Sequence, residues 1–258
     1  MVRSYLEGHV VGRTIQSITV LDDGILEKVA SERLREALEG RKIVRVARHG
    51  KQLFLQTHGG MTMTIHLGMT GDLDFHKIKE KESRFARLLI DFEDGSRLEY
   101  EDMRKFGAVG MTPSKEAFVA LKRLAPDALS IGRKEFHSRV LKHRKAIKSV
   151  LLDQRIVAGI GNLYADEILF QSKVHPASGA ASLTDEEVER IHLATRKVLK
   201  RSIRVKTDFS KPPTSYLLRD RSVEAKCPRG HKAMRTMVVG GRTTYFCAVC
   251  QSPAMEIE

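Results

Sequence analysis

The chain has 258 residues, and 45 Lys and Arg against 32 Asp and Glu give it a formal charge of +13. Hydrophobic residues make up 41% and charged residues 30%, a globular balance that excludes a disordered chain, and no apolar run reaches the ~18 residues of a membrane span. Three cysteines are too few and too odd in number for a disulfide scaffold, and Met1–Glu7 has no apolar signal core, so the expectation is a cytoplasmic protein with no membrane partner. The surplus of positive charge favours nucleic acid as the partner.

Residues 1–112 read mainly as strands. Met61, Met63 and Ile65 alternate with threonines, and Ala86, Leu88, Ile90 and Phe92 alternate again, the period of two of half-buried strands. Asp94-Gly95 then makes a turn and Leu98 and Tyr100 continue the alternation, which predicts a hairpin. One helix interrupts: Ala30, Leu34, Ala37 and Leu38 share a face, Ser31 lies near its start and Gly40 suits its end. An antiparallel sandwich or partly closed barrel follows.

From Ser114 the period becomes helical. Phe118 and Leu121 open a short helix limited by Pro126, and Ile147, Val150 and Leu151 face one side of a second. Gly159-Ile160-Gly161-Asn162 is a glycine-rich turn leading into a helix from Leu163 to Gln171. Thr184 with Glu187 is a capping-box pair, followed at helical spacing by Val188, Ile191, Thr195 and Val198. Lys211-Pro212-Pro213 reads as a linker to a cysteine-bearing tail that turns at Gly240-Gly241. The expected class is α+β: a β-sandwich over 1–112, a helical domain over 113–211, and a linker with a zinc-finger β-hairpin over 212–258.

Two constellations carry chemistry. Cys227, His231, Cys247 and Cys250 are spaced C-x3-H-x15-C-x2-C and gather every cysteine of the chain. Two such pairs close a tetrahedral, structural zinc site; the alternative is a redox Cys-x2-Cys with a bystander Cys and His. The second constellation is basic. Residues 133–148 carry Arg133, Lys134, Arg139, Lys142, Arg144, Lys145 and Lys148. Residues 196–221 carry Arg196, Lys197, Lys200, Arg201, Arg204, Lys206, Lys211, Arg219 and Arg221. A solvated helix face is one reading. The other is a nucleic-acid backbone, because the runs flank a glycine turn whose N–H groups open a helix.

Leu151-Leu152-Asp153-Gln154 and Gly159 to Glu167 resemble the helix–two-turn–helix of the formamidopyrimidine-DNA glycosylase and endonuclease VIII family. Three further segments fit it: His49-Gly50-Lys51, His66-Leu67-Gly68-Met69-Thr70-Gly71 and Asp102-Met103-Arg104-Lys105-Phe106-Gly107. Val238-Val239-Gly240-Gly241-Arg242 with its Cys-x2-Cys resembles the family's zinc finger, although its first knuckle has His231 where relatives carry a thiolate. The matches run from Val2 to Gln251 in the family's order.

The resemblance implies a monomeric base-excision-repair glycosylase and AP lyase with one structural Zn2+. Its partner would be double-stranded DNA with a damaged or abasic site, with the base flipped out because its glycosidic bond is inaccessible in the stack. By position Met69, Arg104 and Phe106 would fill the vacated space, Phe106 as a wedge and Arg104 reading the orphaned base. Lys51, His66, Arg144, Gly161, Asn162 and Arg242 would grip phosphates, with Lys51 and Arg242 also assisting elimination.

The family's nucleophile is an N-terminal proline followed by a catalytic glutamate, whereas Val2-Arg3-Ser4-Tyr5-Leu6 matches the helix after that opening. The expectation is a start assigned too late; the alternative is a chain that lacks its nucleophile. As written, the 258-residue polypeptide is expected to bind DNA with little glycosylase or lyase activity. The stretch Ile203–Lys226 looks shorter than in 8-oxoguanine-specific relatives, which implies a preference for oxidised pyrimidines or ring-opened bases. The competing readings are a non-catalytic damage- or abasic-site-binding protein of the same fold and a zinc-ribbon RNA-binding protein.

Overall fold

The structure, a computed structural model, describes residues 1–78, 82–205, 208, 210–222 and 224–252. It is α+β and separates into two compact units, Met1–Arg123 and Leu124–Glu258.

The first unit is a sandwich of two four-stranded antiparallel sheets. One sheet has the order β1 (Ile15–Val20), β6 (Ala86–Phe92), β7 (Ser96–Asp102), β5 (Gly71–Lys77). The other has the order β2 (Ile43–His49), β3 (Gln52–Thr57), β4 (Thr62–His66), β8 (Ala108–Thr112). The Asp94-Gly95 hairpin sets the register, pairing Ile90 with Leu98 and Leu88 with Tyr100. All four join Leu53, Leu55, Met63, Ile65 and Val109 in one buried core. Helix α2 (Ser31–Leu38) adds Leu34 and Leu38, with Ala30 rather than Ser31 at its N-cap. The helix that the resemblance implies at Val2–Leu6 is present as α1 (Val2–Val10), whose Leu6 and Val10 are fully buried one turn apart.

The expected half-buried strands are a point of correction. In β4 the threonines are buried as well, Thr62 at 4% and Thr64 at 2% exposure. Thr64 shares its face with its partner Phe54, and Phe54 meets Phe118 of α3 (Lys115–Leu121) edge-on at 5.5 Å. A short helix capped by Ser114 therefore covers the outer face of this sheet, an aromatic contact worth ~0.5–1.5 kcal/mol beyond burial. Leu121, expected on that helix's inner face, is exposed. On the other sheet the outward residues Arg97 and Glu99 of β7 are also buried. Arg97 pairs with Asp91 at 2.6 Å and with Glu82, and Glu99 takes His76 at 3.2 Å and the Ser83 N–H at 2.9 Å. Burial works against a charged His76, but the Lys77 carbonyl and Glu99 outweigh it and raise its pKa.

The second unit is helical with a hairpin tail. It contains α4 (Arg133–Leu141), α5 (Ile147–Leu152), α6 (Asn162–Ser172), α7 (Asp185–Arg204) and the hairpin β9 (Arg235–Val239) and β10 (Arg242–Phe246). The Thr184–Glu187 capping box forms in both directions, and Val188, Ile191, Thr195 and Val198 are buried beneath it. Helix α6 is buried on every side, through Ala165, Ile168, Leu169 and Phe170 among others. Phe170 packs with Leu217, Cys227, Met234 and Cys247, which joins the tail to the helical core. The described part of the linker is packed, with Pro212, Tyr216, Leu217 and Leu218 buried. Among the described residues no helix is long and apolar enough to cross a membrane.

Candidate nucleic-acid interface and metal centre

In the first unit Lys51 follows the β2–β3 turn, where Gly50 adopts φ +58° and its carbonyl accepts from Arg48. His66 ends β4 beside it. Burial and then the Lys51 charge hold the His66 pKa below its ordinary value, with Glu27 opposing. The Gly68 N–H donates to His66 Nδ1 at 3.1 Å, so the proton of the neutral ring sits on Nε2. Lys51 and His66, far apart in the sequence, are thus electrostatic neighbours.

The turn after β4 and the loop after β7 interlock. A Cβ on Gly68, which has φ +62°, would lie 2.5 Å from the Phe106 carbonyl carbon. A Cβ on Gly107 would lie 1.7 Å from the Tyr100 hydroxyl oxygen. Only glycine permits this approach. At the contact Met69 is 68% and Phe106 56% exposed, and the Arg104 guanidinium lies 4.7 Å from the centre of the Phe106 ring. An apolar pair left in solvent beside a cation is unlike core packing and suits a surface that meets a base stack.

What holds the pair there is Asp102, which motif reading passed over. Its buried carboxylate accepts from Thr70 Oγ1 at 2.5 Å, from the Arg104 N–H at 3.1 Å and from the Gly107 N–H at 2.7 Å. Burial would raise the Asp102 pKa, but these donors prevail and hold it below the usual carboxylate value. Lys105, between Arg104 and Phe106, takes φ +55° and pairs with Asp22 at 2.6 Å.

In the second unit the turn before α6 is braced by Gln154. Its amide donates to the Leu152 and Ile160 carbonyls and accepts from the Gly159 N–H at 2.8 Å. Gly161 is the N-cap, so the first N–H groups of α6 lack intrahelical partners, the arrangement that binds anions. The Asn162 amide donates to the Thr243 carbonyl at 3.2 Å, next to the exposed Arg242. Arg144 is exposed on the α4–α5 connection, which Ala180 N and Ile147 N brace through bonds to Lys145 O and Ser178 O.

Cys227, His231, Cys247 and Cys250 come together with their ligand atoms within 4.8 Å of one another. Cys227 Sγ lies 3.7 Å from Cys250 Sγ and 3.5 Å from His231 Nδ1. With metal bonds of about 2.3 Å to sulfur and 2.0–2.1 Å to nitrogen, such separations fit the edges of a tetrahedron around one metal ion of zinc's size. The N–H groups of Arg229 and Cys250 point at Cys227 and Cys247 sulfurs, as metal knuckles require. Gln251 ties the second knuckle down, bonding to Cys247 N at 3.0 Å and Val174 O at 3.0 Å.

Comparison with known proteins agrees with this arrangement. Residues 1–109 match the formamidopyrimidine-DNA glycosylase N-terminal domain, and residues 124–213 match the formamidopyrimidine-DNA glycosylase H2TH domain. The chain belongs to the formamidopyrimidine-DNA glycosylase family. The formamidopyrimidine-DNA glycosylase of Chloroflexus aurantiacus is 32% identical, covering 93% of this chain and 91% of that protein. Among solved structures, the Lactococcus lactis Fpg bound to DNA with an abasic site is 28% identical at a TM-score of 0.87 over 97% of both chains. The same enzyme bound to a FAPY-dG-containing DNA is 27% identical at a TM-score of 0.88, again over 97% of both.

Within this formamidopyrimidine-DNA glycosylase fold the basic runs need correction. Lys148 is fully buried and pairs with Asp166 at 2.6 Å, and Arg221 donates to the other oxygen of Asp166. Neither belongs to an exposed basic face. Lys145 pairs with Asp153 at 2.9 Å and Arg133 with Glu189 at 2.7 Å, whereas Lys134, Lys142 and Arg144 are exposed. Lys206 lies outside the described residues, as do residues 207, 209 and 223 of the 203–226 stretch. Glu167 was also unforeseen. It accepts from the Leu218 N–H at 2.8 Å and from Gln171, and burial raises its pKa to about 7 against those donors.

Proposed function

We propose that this chain belongs to a base-excision-repair DNA glycosylase and AP lyase that acts on oxidised bases in duplex DNA by base flipping, Schiff-base formation and β,δ-elimination, with the Schiff-base amine assigned to no residue of this sequence. Family membership across both the N-terminal and the H2TH domains carries the reading. The relatives bound to abasic and FAPY-dG DNA supply the substrate class. Met69, Arg104 and Phe106 enter the duplex, with Phe106 unstacking one step and Arg104 facing the orphaned base; their joint exposure on interlocked loops supports this. His66, Arg144, Gly161 and Asn162 hold phosphates. Lys51 and Arg242 hold phosphates and assist elimination.

Cys227, His231, Cys247 and Cys250 hold one structural Zn2+. With four protein ligands no position is open to substrate, so the metal holds the hairpin rather than reacting. Functionally, residues 1–112 supply the wedge and the Lys51–His66 pair, 113–211 the helix–two-turn–helix grip, and 212–258 the linker and finger. The protein works as a monomer in the cytoplasm, associated with the nucleoid. The test uses protein expressed from its full reading frame, on duplexes with one FAPY-dG, one oxidised pyrimidine, one abasic site or none. Strand nicking at the lesions, with a borohydride-trapped adduct and steep loss of binding with salt, is expected. Equal affinity for abasic and intact duplex with no nicking would overturn the proposal.

A further inference from the structure

Asp166 lies one turn beyond Asn162 on α6, on the same face of that helix. It is fully buried, and it meets partners from three other segments. Lys148 from α5 and Arg221 from the packed linker both reach it, and the Tyr245 N–H of β10 donates to it at 3.1 Å. The same two cations, with Asn162, converge on a single atom of that strand. The Thr243 carbonyl lies 3.2 Å from Lys148 Nζ, 3.2 Å from Asn162 Nδ2 and 3.3 Å from Arg221 Nη2. Lys148 also donates to Thr244 Oγ1 at 2.7 Å, and Arg221 stacks 4.4 Å from the Tyr245 ring centre. At the hairpin tip a Cβ on Gly240, which has φ +58°, would lie 2.6 Å from Ser149 Oγ.

Residues 243–245 are therefore docked on α5 and α6 through charged hydrogen bonds, and Arg242 is the next residue out. A buried carboxylate alone is costly, and so is a buried ammonium. Here each is fixed by the other, and what they share is the backbone of the strand that bears Arg242. The zinc knuckles hold the far end of β10, at Cys247, so without this cluster only the ladder to β9 and the hairpin turn would orient Arg242.

We propose that Lys148, Asp166 and Arg221 are positioning residues that set Arg242 and Asn162 at one spacing for one DNA phosphate. Lys148 and Asp166 have no exposed surface and so act through the strand rather than on DNA. The inference rests on the reading of Arg242 as a phosphate-gripping residue.

The test measures binding to a tetrahydrofuran-containing duplex across a salt series, for wild type, Arg242→Ala, Lys148→Met and the double variant. Asp166→Asn is a further variant, and zinc content and melting are recorded for each. Lys148→Met leaves Asp166 and Arg221 as a balanced pair, so the fold is expected to persist with one zinc. Binding should weaken about tenfold, the loss of one charge-assisted hydrogen bond, with the log–log salt slope lowered by about 0.9, equivalent to one phosphate. Added to Arg242→Ala, the same change should weaken binding by less than about twofold, because its route is already gone. If Lys148→Met loses zinc or melts early, Asp166→Asn with intact zinc must show the same coupling. Full additivity in the double variant, or wild-type binding and slope in a folded single variant, overturns the positioning role. Arg242→Ala binding with wild-type affinity would instead remove the underlying reading of Arg242.

Discussion

Asp102→Asn should disconnect the wedge from its support. Asp102 receives three donors that span the two interlocked loops: Thr70 Oγ1, Arg104 N and Gly107 N. Arg104 N and Thr70 meet one carboxylate oxygen and Gly107 N the other, so an amide cannot satisfy both sides. Whichever way it turns, an NH2 group faces a donor. Each hydrogen bond to a charged group is worth ~1.5–3 kcal/mol and a stranded buried donor costs ~1–3 kcal/mol, so the loops lose about 3–5 kcal/mol of organisation. If about 3 kcal/mol of that is needed to hold Phe106 and Arg104 ready, affinity for a tetrahydrofuran duplex falls about a hundredfold. A 2-aminopurine opposite the tetrahydrofuran reports insertion, and its fluorescence change should be lost in parallel. Tyr100→Phe is the control. It removes only the 3.4 Å contact to Asp102 and should bind within about twofold of wild type. Because the folded Asp102 pKa is depressed, its contribution is complete above the unfolded value of 3.8 and is lost only as pH falls through the folded one. The defect should therefore be constant from pH 5 to 8. Wild-type affinity and fluorescence in folded Asp102→Asn would falsify the account.

Phe106→Ala and Met69→Ala should leave urea stability within about 0.5 kcal/mol while reducing affinity for abasic duplex, since both side chains are exposed; a core-sized loss of stability would place them inside. Glu167 has a folded pKa of about 7 against 4.5, so the native state binds its proton more tightly. Its stability contribution is greatest below the unfolded value and falls by about 3 kcal/mol as pH rises from 4.5 to 7; Glu167→Gln should flatten that slope in urea titrations, and an unchanged slope refutes it. Zinc removal by chelation, or Cys250→Ser, should free the knuckles and lower the salt slope of DNA binding; intact hairpin amide protection in zinc-free protein would contradict this. Excision of ring-opened or oxidised pyrimidine bases should outpace excision of 8-oxoguanine in matched duplexes, and the reverse order refutes that preference.

The Cys227, His231, Cys247 and Cys250 cluster, the Thr184 capping box and the Asp94-Gly95 hairpin were legible because each is a local rule, in which spacing decides geometry. Alternation in β4 and β7 identified strands but not that both faces are covered. The cover comes from Phe118 and from the segment around Ser83, which no strand periodicity encodes. Leu121 fitted a helical face and points to solvent because α3 buries only Phe118. The greatest gap concerned charge. Lys148 sits three residues from Lys145 in one basic run, yet Lys145 is at the surface and Lys148 has no exposed area. A run of cations gives no sign of which member turns inward until the buried carboxylate that draws it is placed. Asp102 and Asp166 were inside quoted motifs and still unassigned, because a motif does not show that their carboxylates turn inward to protein donors.

Helix α6 explains why a protein this basic keeps two adjacent acids at the centre of its DNA-binding unit. The middle of the helix, from Ala165 to Phe170, is buried on every side, so the acids there are desolvated and must find partners within the protein. Successive residues on a helix point about 100° apart, and Asp166 and Glu167 accordingly meet different segments. Asp166 gathers Lys148, Arg221 and β10, whereas Glu167 takes the Leu218 N–H of the packed linker. The two acids thus tie α6 to the hairpin on one side and to the linker on the other. Part of the +13 is consequently not available to DNA: Lys148 and Arg221 are bound to the scaffold, and their shared pairing with Asp166 fixes the strand from which Arg242 projects. The salt dependence of binding should follow the exposed cations alone, since only charges that meet phosphates release counterions. A slope unchanged by Lys148→Met together with a normal Arg242→Ala defect would show instead that α6 holds the hairpin by packing, with its acids serving only to keep each other's partners buried.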